Sequence, residues 1–378
     1  MADPLLSTPS GRLRARALGV PFLGTPGRWN ALTDVPDIEV GYTTLIEGAS
    51  VRTGVTAILP RGRDGVGVPC AAGWFSFNGN GEMTGTTWIS ENGALATPIA
   101  ITNTHAVGPV HQGVVEWIAA HHPRVAEQWL LPVVAETYDG DLNDINGRHV
   151  RPEHALAALD AAAGGPIEEG SVGGGTGMIC HGFKGGSGTA SRVVEYGPDR
   201  YTVAAFVQAN YGARRELTVA GMPLGAELAR THPDVVAGPA RTPPGAGSVI
   251  VVLATDAPLL PGQCAALARR ATLGIGRSGT AGSHFSGDLF LAFSTANAGA
   301  LTSTFPAGPV GADAYEQLRF VPWGRIDPFY EAAVRAVEEA VVDVLVANAD
   351  MVGHRGYRVP ALPHDAVRAA VSRLAGPT

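Results

Sequence analysis

The chain is poor in the features that suit a nucleic-acid, membrane or metal partner. Its 378 residues carry 27 Lys and Arg against 34 Asp and Glu, for a formal net charge of -7, and no basic run is available to neutralise phosphates or an anionic bilayer. The three cysteines, Cys70, Cys180 and Cys264, lie far apart without CxxC spacing. Neither a disulfide framework nor a thiolate zinc site is expected, and a reducing, cytoplasmic setting fits. The histidines form no HxxxH or HExxH pair, so no metal is expected, and without a Walker motif or a GxGxxG in a βαβ setting no nucleotide cofactor is expected either. No run of about 18 apolar residues is present, and residues 1–18 lack the apolar stretch of a secretory signal. The partner these exclusions favour is a small molecule or peptide.

Glycine is abundant, at 50 residues, and hydrophobic residues make up 45% against 16% charged. Such a chain can bury a large core, and one layered α/β domain spanning 1–378 is expected. Strands are predicted at 38–44 and 54–59 as a hairpin, and at 98–103, 131–138, 201–210, 249–253 and 288–295. Helices are predicted at 110–120, 154–163, 261–274, 328–348 and 363–374. The segments 170–178 and 182–189 read as dense glycine loops, and residues 222–242 loosen after a short helical piece into the only linker-like region in the middle of the chain.

That linker ends at Arg241-Thr-Pro-Pro-Gly-Ala-Gly247-Ser248, followed by the apolar run Val-Ile-Val-Val-Leu253, which puts Ser248 at the first position of a strand. Gly-Ser also occurs at 170, 186 and 282, so the dipeptide alone decides nothing. Only the one at 247 joins a linker to a core strand. A serine there can attack its own preceding carbonyl, because glycine offers no Cβ to hinder the approach and tolerates unusual backbone angles. Cleavage would expose the Ser248 α-amine, whose pKa of about 7.7 to 8.0 suits a general base, so nucleophile and base would share one residue. An uncut turn is the alternative reading.

Other polar residues gather at strand ends, where α/β sheets tend to bind ligands. Glu136 suits a substrate ammonium ion and the Tyr138 phenol an oxyanion, against the plainer reading of a surface acid and a core tyrosine. Asn210 is a candidate oxyanion donor or a turn former, and Ser286 and Asp288 flank Gly287 either as a serine oriented by a carboxylate or as an ordinary turn. The Gly73 to Gly85 stretch, with Asn78, Asn80 and Glu82, brings backbone close to a ligand or simply turns a corner. His105, His121 and His122 are assigned structural roles.

Taken together, Asn30-Ala-Leu-Thr-Asp-Val35, Asn78-Gly-Asn-Gly-Glu-Met-Thr-Gly85, Ile101-Thr-Asn-Thr-His105, Glu136-Thr-Tyr-Asp-Gly140, Leu142-Asn-Asp-Ile-Asn-Gly147, Gly173-Gly-Gly-Thr-Gly177, Phe183-Lys-Gly-Gly186 and Gly247-Ser248 resemble the DmpA-type aminopeptidases, which include β-peptidyl aminopeptidases. The resemblance runs from about Arg14 to the final helices. It implies an αββα four-layer sandwich, self-cleavage into residues 1–247 and 248–378, and a homotetramer of cleaved heterodimers. By motif it implies Ser248 as nucleophile after cleavage from Gly247, Asn210 as oxyanion donor and Tyr138 as the active-site tyrosine. It likewise implies Glu136 as ligand of the substrate amine, with Ser286 and Asp288 supporting the nucleophile. Asp141 stands where relatives often carry an aromatic residue, and Asp288 is shorter than the glutamate of some β-peptidyl members. Nylon-type amide-oligomer hydrolases and ornithine acetyltransferases share the architecture but use threonine, so Ser248 weighs against them. An unprocessed binding protein is the non-enzymatic alternative.

Overall fold

The computed structural model describes residues 3–232, 242–243, 245–305, 308–311 and 315–374, so most of the expected linker lies outside the described residues. The strands are β1 (Glu39–Glu47), β2 (Val51–Leu59), β3 (Cys70–Ser76), β4 (Ala94–Leu95), β5 (Ile99–Asn103) and β6 (Val133–Thr137), then β7 (Ile179–Cys180), β8 (Phe183–Lys184), β9 (Gly186–Tyr196), β10 (Asp199–Gly212), β11 (Gly245–Thr255) and β12 (Ser286–Ser294). The helices are α1 (Thr86–Asn92), α2 (Val107–His121), α3 (Pro123–Ala126), α4 (Pro152–Asp160), α5 (Leu224–Thr231), α6 (Pro261–Ser278), α7 (Asp327–Val346) and α8 (His364–Leu374).

Two sheets form the middle of the molecule, one in the order β1-β2-β5-β6 and one in the order β4-β3-β12-β11-β10-β9. The alternation of strand side chains sets the layers. In β11, Ile250, Val252 and Ala254 pack between the sheets against Ile58, Ile99, Ile101 and Val133. Val249, Val251 and Leu253 point the other way, into a core shared with α6 and α7. Ala57, Ala100 and Val134 on the outer face of the smaller sheet meet α2 and α4 through Val114, Trp117 and Leu159. β11 is covered on both sides, so its run 249–254 is apolar at every position and not at alternate ones. The result is the expected αββα sandwich.

The strand at 248 begins earlier than expected. β11 starts at Gly245, because Gly212 pairs with Gly245 and Asn210 with Ser248 across a register shift in β10. The Gly-Ala-Gly stretch before Ser248 is therefore already held in the sheet. The segment 182–189, expected to be a loop, is instead β8 and the start of β9. Its glycines serve close packing: a Cβ on Gly188 would run into the Ala340 carbonyl of α7.

Candidate active site

Three neighbouring interior strands of the larger sheet carry the polar residues at one shared end. Ser248 on β11 lies opposite Asn210 on antiparallel β10, while parallel β12 sets Gly247 against Ser286 and Ser248 against Gly287. Ser286 and Asp288, two residues apart on β12, share a face as the strand period requires, and the Ser286 hydroxyl donates to Asp288 Oδ1 at 2.6 Å. The smaller sheet supplies the rest. β6 ends at Thr137, and just beyond it the Tyr138 backbone N–H donates to Ser248 Oγ at 3.2 Å. The Tyr138 carbonyl accepts from Asn210 Nδ2 at 2.9 Å, so the backbone of this one residue ties both sheets together at the serine.

Gly247 is held at φ 152°, in backbone space open to glycine, and a Cβ there would collide with the Asn210 carbonyl. The same position lies 3.4 Å from Asn210 Nδ2, so the amide borders the peptide that precedes Ser248. Asn210 is oriented from its other end, where Oδ1 accepts from the Ile179 N–H at 2.8 Å. One amide hydrogen goes to Tyr138 and the geometry of a primary amide leaves a second for an oxyanion. Lys184, the only lysine in the chain, is buried behind this turn, donating to the carbonyls of Met178 at 2.9 Å and Gly185 at 2.6 Å. Desolvation pulls its pKa down to about 7.

The carboxylates are buried. Glu136 is 2% exposed; its Oε1 accepts from the Glu82 N–H at 3.0 Å and its Oε2 from the Thr104 hydroxyl. Burial raises its pKa, opposed by the Thr104 and Glu82 hydrogen bonds. Asp288 is likewise raised by burial and opposed by Ser286 and by Asn78, whose Nδ2 donates to Asp288 Oδ2 at 2.7 Å. The glycine-rich loop at 77–85 therefore approaches the two carboxylates of the site. A Cβ on Gly81 would lie 3.1 Å from Gly287 Cα and 3.2 Å from Glu136 Oε1, which places Glu136 beside the strand that flanks Ser248.

The six expected residues, Glu136, Tyr138, Asn210, Ser248, Ser286 and Asp288, thus lie on neighbouring strand ends around the Gly247–Ser248 junction. Asn78, Thr104, Ile179 and Lys184 were not singled out from sequence as site residues. Their only signal was membership of the glycine-rich and Asn/Thr-rich segments around the motifs. His105 has its Nδ1 3.1 Å from Asn146 Oδ1, and the exposed His284 packs its ring edge to face with Phe285 at 5.2 Å. A cleft opens beside Gly247, lined by Tyr138, Asp141, Asn210, Arg214 and Tyr357 among others. Gly140 matters to its shape, since a Cβ there would strike the Tyr138 ring.

Residues 30–359 match the model of peptidase family S58. The chain is 50% identical over 375 residues to the beta-peptidyl aminopeptidase BapA of Sphingosinicella microcystinivorans, covering 95% of this chain and 92% of that protein. It is 46% identical over 369 residues to BapA of Sphingosinicella xenopeptidilytica, covering 93% and 89%. Among solved structures, a Burkholderia sp. beta-aminopeptidase superposes with a TM-score of 0.86 at 47% identity, over 97% of this chain and 100% of that one. The L-aminopeptidase D-Ala-esterase/amidase of Ochrobactrum anthropi, described as a prototype serine aminopeptidase with a variant Ntn hydrolase fold, gives 0.86 at 45% identity over 96% and 99%.

Proposed function

The chain belongs to peptidase family S58 and is a serine aminopeptidase of the Ntn hydrolase type, and we propose that its nucleophile is Ser248, freed by self-cleavage after Gly247. The observation that carries this is the junction itself: a glycine in glycine-only backbone space, followed by a serine whose Oγ is held by the Tyr138 N–H and whose scissile neighbour borders the Asn210 amide. In the first step Ser248 Oγ attacks the Gly247 carbonyl carbon, the C–N bond breaks and the nitrogen takes the hydroxyl proton. Water then hydrolyses the ester to a Gly247 carboxylate and restores the Ser248 hydroxyl beside its freed amine.

In turnover that amine accepts the Oγ proton as Oγ attacks the substrate carbonyl. The oxyanion accepts from Asn210 Nδ2 and from the Tyr138 side chain, the leaving amine takes the proton, and water releases the acyl group from Ser248. Ser286 donates to Asp288 and so turns its lone pairs toward the Ser248 ammonium, whose charge Asp288 balances. Glu136 pairs with the substrate's own ammonium, which restricts cleavage to the N-terminal residue.

The names of the relatives support a peptide or amide substrate with an N-terminal α- or β-amino acid. We extend the reading to a homotetramer of cleaved heterodimers acting in the cytoplasm, in keeping with three buried, unpaired cysteines. Among the described residues no helix is long and apolar enough to cross a membrane. A panel of aminoacyl and β-aminoacyl p-nitroanilides tests the activity: release of p-nitroaniline from free-amine substrates but not from their N-acetyl forms is expected. Efficient cleavage of the acetylated forms contradicts it.

A further inference from the structure

We propose that Asp141 selects the side chain of the residue that is released, in favour of basic ones. This rests on the aminopeptidase reading above. Self-cleavage and turnover both place a carbonyl against Ser248 Oγ, so the segment preceding Gly247 marks where the acyl half of a substrate lies. The cleft at that place is walled by Thr242, Pro243, Gly245 and Gly247 from the linker and by Asp141 and Arg214 from the body. The linker is already held by Asp141 in the way a substrate would be, since the Thr242 hydroxyl donates to Asp141 Oδ2 at 2.7 Å.

The second oxygen, Asp141 Oδ1, is buried and has no hydrogen-bond partner among the described residues. A carboxylate with one idle, desolvated oxygen favours an incoming donor, and a cation most of all. The described arginines that line the cleft are otherwise engaged. Arg214 lies over the Phe183 ring at 4.1 Å and donates to the carbonyls of Gly182 and His232, while Arg358 pairs with Asp350 at 2.5 Å. Once the linker is cut and Thr242 withdraws, Asp141 Oδ2 loses its donor on the wall of the acyl pocket. The lysine or arginine side chain of an N-terminal residue supplies the donors that Thr242 gave, and an acidic side chain meets repulsion.

The test uses the mature full-length protein with lysyl, alanyl and glutamyl p-nitroanilides, read as ratios of kcat/KM within each variant. The native protein is expected to rank lysyl above alanyl above glutamyl. Asp141→Asn keeps the volume and an acceptor for Thr242, and should lower the lysyl to alanyl ratio by about tenfold or more, as loss of a hydrogen bond to a charged group implies. Asp141→Ala is the second variant and should lower it likewise. An unchanged ratio in both Asp141 variants, or a native preference for glutamyl over lysyl, overturns the role of Asp141 while leaving the aminopeptidase reading intact. Failure of the native protein to hydrolyse any of the three overturns this inference, and failure on β-aminoacyl p-nitroanilides as well overturns the aminopeptidase reading with it.

Discussion

Asn210 is fixed at both ends, by the Ile179 N–H on its oxygen and the Tyr138 carbonyl on its nitrogen, so its remaining amide hydrogen has one direction to point. Asn210→Ala should therefore lower kcat by about 10²- to 10³-fold, the loss typical of one oxyanion donor, with a smaller change in KM. Single-turnover kinetics on an alanyl anilide check this. Glu136→Gln keeps the Glu82 and Thr104 contacts within reach but removes the charge, and should cost on the order of 10- to 150-fold in kcat/KM for free-amine substrates. The acid side of the pH profile carries the identity of the base. An α-amine starts at about 7.7 to 8.0 and a desolvated site lowers it, so kcat should fall as pH drops through roughly 7 and the amine protonates. His105→Gln and His284→Gln should leave that limb in place. Its disappearance in either variant would make histidine the base.

At the scale of the element, the segments with unbroken apolar runs, β5, β6, β10, β11 and β12, were legible in the sequence, and so was the hairpin β1 to β2. Strand β9 was not. Its Gly186-Ser-Gly-Thr-Ala-Ser run carries none of the apolar alternation of a half-buried strand, because its burial is satisfied by polar contacts: Thr189 Oγ1 accepts from the Leu32 N–H at 2.8 Å and Ser191 donates to Asp34 at 2.6 Å. The site side chains that sit on strand ends were legible for the same reason the strands were. Asn78 was not, since its contact with Asp288 spans 210 residues and only the fold creates it. Close backbone packing makes β9 sensitive: Gly188→Ala pushes a methyl against the Ala340 carbonyl and should cost about 1 to 3 kcal/mol in a denaturant titration. The β7 to β8 hairpin carries a second, pH-dependent vulnerability. His181 is fully buried, and desolvation lowers its pKa to about 4 against about 6.5 unfolded. The folded state binds fewer protons in that window, so this contribution is complete above 6.5 and is lost, on the order of 3 kcal/mol, as pH falls toward 4. His181→Gln should unfold with a shallower loss of stability between pH 7 and 5 than the native protein, and an equal loss in both would contradict the assignment.

For the molecule as a whole, the proposed cut divides the chain without dividing the fold. β11 remains between β10 of the longer fragment and β12 of its own. A buried ion network also bridges the two: Arg14 meets Glu169 and Asp343, each at 2.9 Å, and Arg16 and Arg192 both reach Glu339. The fragments should copurify under native conditions and part only when denatured. Breaking the network with Arg14→Ala leaves buried carboxylates unpaired and should destabilise the cut protein by about 3 to 5 kcal/mol, read from its unfolding midpoint. The central claim, that Ser248 makes itself the N-terminal nucleophile, is tested most directly by intact mass and N-terminal sequencing of purified native protein and of Ser248→Ala. The expected result is two fragments in the native sample, one beginning at Ser248, and a single inactive chain of 38.9 kDa in the variant. Two normal fragments from Ser248→Ala, or a native protein that is active while uncut, would contradict it.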